Sequence, residues 1–117
     1  MTQYQSMDTS DHDLHARWQQ RVDSGTFSAG VEGLGNIRVM GRSGDTPLAF
    51  PRIASLDLLP SLEPDEQWAL RQAEAALLAA QRESRTVFNR ETSAVVTEFD
   101  PHVAEMLIVS RIAGGRR

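Results

Sequence analysis

The chain has 117 residues, 12 of them basic and 16 acidic, for a net charge of −4. That length accommodates one domain with a small core. The acidic balance argues against nucleic-acid binding, which needs a positive field facing phosphate. There is no cysteine, so no disulfide framework, thiol nucleophile or thiolate zinc site is available. All twelve basic residues are arginine, so the chain has no side-chain amine. No apolar run approaches the roughly 18–20 residues of a membrane span. Residues 1–13 are polar and acidic, unlike a secretory signal. The expectation is a soluble, cytoplasmic protein without membrane association.

The patterning divides the chain at residue 36. Residues 1–35 read as a flexible N-terminal extension with a short helix at 11–23, where Ser10 can serve as cap and Leu14, Trp18 and Val22 form one stripe. Four glycines between Gly25 and Gly35 read as a linker. Ile37–Met40 and Thr46–Phe50 read as two strands of a hairpin around the turn Gly41–Asp45, with Pro47 placing the second at an edge. A packed connection follows, with room for a short helical turn. The strongest element runs from Pro64 to Glu83. Pro64 suits a first helical position, Asp65 and Glu66 face the positive end of the dipole, and Ala69, Leu70, Ala73, Ala76, Leu77 and Ala80 make one apolar face. Thr86–Phe88, Ala94–Phe99 and Glu105–Ile112 read as strands, and Asp100-Pro101 as a capped helical turn.

This order predicts an α+β domain over residues 36–115, with one main helix packed on a small mixed sheet. It is also the element order of the β-grasp, or ubiquitin-like, fold.

Few residues suggest chemistry. His12 and His15 share a helix face, but no third metal ligand accompanies them. Gly33-Leu34-Gly35 precedes a strand, and the glycines of Gly41–Gly44 join two strands, so neither opens a helix as a phosphate loop does. Asp100 and His102 read as a cap and a solvent-facing ring. There is no nucleophile elbow and no carboxylate pair. The expectation is a protein that is not an enzyme, with no metal and no cofactor. Trp68 reads as partly buried core. The stripe of Leu14, Trp18 and Val22 either docks back on the domain or presents a partner-binding surface.

The C-terminal segment carries the sharpest signal. Two glycines directly after a core strand make a thin thread that can enter a narrow channel of a partner enzyme. The segment Asp100–Gly115, Asp-Pro-His-Val-Ala-Glu-Met-Leu-Ile-Val-Ser-Arg-Ile-Ala-Gly-Gly, resembles the end of ubiquitin-like β-grasp proteins and of the small sulfur carriers of molybdopterin and thiamine synthesis. The resemblance implies that Gly114 and Gly115 are the conjugation or activation end and that Arg111, Ile112 and Ala113 belong to the recognised tail. It implies an adenylating, activating enzyme as partner. Sulfur carriers end at the second glycine, whereas Arg116 and Arg117 follow here, so 116–117 would be removed by a processing peptidase. The chain also resembles small proteins of bacteria and their phages that share the Met40–Thr46 and Phe99–Pro101 motifs, a likeness that carries no function. The expected function is a ubiquitin-like modifier or sulfur carrier. The alternative is a non-catalytic protein–protein interaction or accessory module, of the kind a phage or mobile element carries, with an inert tail.

Overall fold

The computed structural model describes residues 11–40 and 47–109, with Met40 through its backbone alone. Ser10, the turn Gly41–Asp45 and the tail from residue 110 onward lie outside the described residues. Helix α1 spans Asp11–Ser24, and strands β1 and β2 span Val31–Met40 and Leu48–Ile53. A 3-10 helix follows at Leu56–Ser61, then helix α2 at Pro64–Arg82, strand β3 at Thr86–Asn89 and strand β4 at Glu105–Val109. The four strands form one mixed sheet in the order β2-β1-β4-β3. β1 and β4 are its parallel centre, and β2 and β3 pair antiparallel on either side.

Alternation along the strands separates two faces. Ile37, Phe50, Val87, Met106 and Ile108 point to one side and are buried against Leu70, Ala73, Leu77 and Ala80 of α2. The predicted apolar face of α2 is therefore the core face, with Ala76 at its margin. Small alanines at 73 and 80 let the helix lie close to the sheet. Phe99 closes the end of this core edge-on against Phe50, with ring centroids 5.4 Å apart.

Two expectations are corrected. The glycine-rich stretch is not a linker throughout, because β1 begins at Val31 and the sheet thus starts before residue 36. Its glycines serve the strand. Gly33 takes φ +125° where the β1–β2 register shifts between Val31 and Leu34, a bulge that an L side chain would strain. Gly35 faces Phe50 so closely that an added Cβ would lie 2.3 Å from the ring. Secondly, Ala94–Phe99 is not a strand. It meets β3 through a single bridge, Phe88 to Val95, and then turns away towards Phe99, while the Gln81 side chain donates to the Thr97 carbonyl at 2.7 Å. The capped turn at Asp100-Pro101 forms as expected: Asp100 Oδ1 accepts the His102 N–H at 2.9 Å and the Asp100 carbonyl accepts the Val103 N–H at 3.2 Å, after which the chain enters β4. β4 is described to Val109, and Ile112 lies beyond.

Candidate functional site

The face of the sheet turned away from α2 is built by the complementary residues. Register places Arg38 beside Leu107, Leu107 beside Phe88 and Phe88 beside Val95, a row across three strands and the segment that follows β3. Leu107 and Phe88 are half-buried and Val95 is 58% exposed. One step along, Glu105 accepts Arg38 Nε at 2.8 Å and lies 3.4 Å from Arg90 Nη1. The two arginines compensate the single carboxylate and border the apolar row with positive charge. A flat apolar strip with a polar rim suits protein recognition.

α1 occupies the opposite margin. Leu14 and Trp18 are buried and Val22 is half-buried, so the stripe docks back on the domain and Leu14 and Trp18 are closed to a partner. The Trp18 indole N–H donates to the Ala49 carbonyl of β2 at 3.1 Å, and its ring lies against Phe27 with centroids 5.9 Å apart. His15 rests on Trp68 at 5.5 Å, and Trp68 is half-buried as expected. Among the described residues no group of three or more His, Asp or Glu side chains could hold a metal ion. His102 is exposed, and its Nε2 lies 3.0 Å from Glu32 Oε1 on β1.

The junction between α1 and α2 is a buried polar cluster that sequence reasoning missed. Glu66 is fully buried. Its carboxylate accepts the Ser28 hydroxyl at 2.6 Å, the Ser28 N–H at 2.9 Å and the Glu63 N–H at 3.0 Å. Arg21 of α1 bonds Asp65 through Nε and brings Nη1 to 3.7 Å from Glu66. Burial alone would push the Glu66 carboxyl up. The Ser28 hydroxyl and N–H, the Glu63 N–H and the Arg21 charge together outweigh it and hold the carboxyl below its ordinary value. The Asp65 bond outweighs burial at Arg21 and raises its pKa. The signal was present in Glu63-Pro64-Asp65-Glu66, whose Glu66 side chain reaches back to the Glu63 N–H as in a capping box. Its further partners, Ser28 and Arg21, lie 38 and 45 positions earlier in the chain and have no local pattern.

Gly114, Gly115, Arg111, Ile112 and Ala113 lie outside the described residues. Comparison with protein-family models, with curated proteins and with solved structures finds no match. No described helix is long and apolar enough to cross a membrane.

Proposed function

We propose that the domain is a β-grasp fold and that the protein is a ubiquitin-like modifier or sulfur carrier activated at Gly115. The observation that carries this reading is the placement of β4. It is a central strand, parallel to β1, in a sheet of order β2-β1-β4-β3 with α2 between the hairpin and the last two strands. A central strand is anchored on both sides, so β4 is held rigidly to its described end at Val109. In this reading a peptidase cuts after Gly115 and removes Arg116 and Arg117. An activating enzyme then adenylates the Gly115 carboxylate with ATP, releasing pyrophosphate, and the acyl group passes from AMP to sulfide, giving a thiocarboxylate, or to a target amine, giving an amide, with AMP as the leaving group. The protein supplies the handle and the docking face and is not itself an enzyme. The row from Arg38 to Val95 is the surface offered to the partner enzymes. Having no lysine, the chain forms no lysine-linked polymer of itself.

Intact mass of the protein isolated from its native host is the test. Loss of the two arginines, a thiocarboxylate, or a conjugate joined through Gly115 supports the reading. A full-length, unconjugated chain as the sole species overturns it. The second reading, a non-catalytic interaction module, is favoured by the exposure of Val95 at the end of the apolar row.

A further inference from the structure

The segment after β3 ends the sheet without closing it. The bonds from Asn89 N–H to Ala94 O and from Val96 N–H to Val87 O, both 2.8 Å, flank the pair Phe88–Val95. In an antiparallel ladder such a flanked pair exchanges no hydrogen bonds of its own, and each member turns its N–H and C=O away from the other. Phe88 turns its groups to β4. Val95 turns its groups outward, and among the described residues neither they nor the Thr97 N–H has a hydrogen-bond partner. The same segment borders two adjoining grooves of about 600 and 270 Å³ that share Leu56 and Phe99. The three large apolar side chains left exposed among the described residues, Leu56, Leu78 and Val95, all line these grooves. The charged side chains lining them are Glu74, Glu98 and Asp100, with no basic residue among the described lining.

We propose that the outer edge of residues 94–97 is a docking site for an extended segment of a partner protein that alternates apolar and basic residues, added to the sheet as a further strand beside Val95. Main-chain bonds to Val95 supply a strand's template. Apolar side chains of the incoming segment cover Val95 on the face turned away from α2, and its cations, on the opposite face, reach Glu74 and Glu98 on the α2 side. An acidic strand would be repelled by the same carboxylates. The site does not depend on the Gly-Gly tail and stands whether or not that tail is activated.

The probe is a capped pentapeptide of alternating valine and lysine, titrated into the full-length ¹⁵N-labelled chain, with the valine–glutamate counterpart as control. The expected result is saturable amide shifts centred on Val95 and Thr97, slowing of their amide exchange by about tenfold, and no response to the glutamate peptide. Val95→Pro removes the outward N–H without deleting a hydrogen bond of the folded chain and should abolish the response. The double variant Glu74→Gln, Glu98→Gln keeps every backbone group and should weaken lysine-peptide binding several-fold, so the proposal stays testable if the proline variant does not fold. Shifts confined to other residues, equal binding of both peptides, or no saturation would overturn it. Slow exchange of Val95 in the free chain would assign the edge to a segment of the same chain, and concentration-dependent broadening without peptide would assign it to a second copy. Either result overturns the proposal.

Discussion

The two edges of the sheet are treated differently. At the β2 edge, Trp18 of α1 covers the Ala49 carbonyl, and Pro51 within the strand offers no N–H. Both devices blunt an edge against pairing with another chain. α1 is in turn locked by Arg21 to Asp65 and by Ser28, just beyond the helix, to Glu66. At the β3 edge a single bridge covers the strand, and the covering residue, Val95, is more than half exposed with its own polar groups outward. The difference teaches that α1 is part of the fold, whereas the far edge is where the molecule can gain contacts. Leu14 and Trp18, whose stripe the sequence left open between docking back and presenting a partner surface, are used internally, and the edge proposed for a partner lies on a segment that the sequence reads as an ordinary strand.

Substitutions at each edge test this contrast. The largest effect belongs to Trp18→Ala, which removes a buried indole and uncovers β2. A loss of about 3–5 kcal/mol in unfolding free energy is expected from denaturant titration. A loss below about 1 kcal/mol would mean that α1 is a dispensable extension. Glu66→Gln leaves Ser28 and Glu63 with a poorer acceptor in a buried site, for an expected loss of about 1–3 kcal/mol, measured in the same way. The pH dependence follows from the same carboxyl. Its folded value is depressed, so its stabilisation is complete above the unfolded value of about 4.3. It is lost as pH falls through the lower folded value. Melting temperature recorded through the acid range should fall more steeply in the parent than in Glu66→Gln. The smallest effect belongs to Val95→Thr, where an exposed side chain of similar shape keeps the backbone unchanged. A change within about 0.5 kcal/mol is expected, and a larger loss would show Val95 to be part of the stabilising core.

Much of the fold was legible because its signals are local. The apolar spacing of α2, with Pro64 at its start, marks a helix within a residue of its observed limits. Ile37 to Met40 and Met106 to Val109 mark the two central strands. The misses have a common cause. Gly33 and Gly35 read as linker because glycine signals freedom in isolation, yet one makes a bulge and the other makes room for Phe50 from the neighbouring strand. Val95, Val96 and Thr97 have β-forming side chains, but strand formation requires a neighbour, and the segment leaves β3 after one bridge. Of the candidate site, the exposed row could be anticipated only once register was known, because Arg38, Leu107, Phe88 and Val95 come from four separate segments.

By itself, the sequence determined the α+β class, the main helix and its buried face, and the absence of cysteine and lysine chemistry, since these depend on composition and on periodicities within single elements. Only the tertiary structure decided where α1 goes, why Glu66 is buried as a charge, and which sheet edge has no hydrogen-bond partner among the described residues. Each of these depends on which distant segment meets which, through hydrogen bonds and packing between residues tens of positions apart, and such pairings leave no period in the chain.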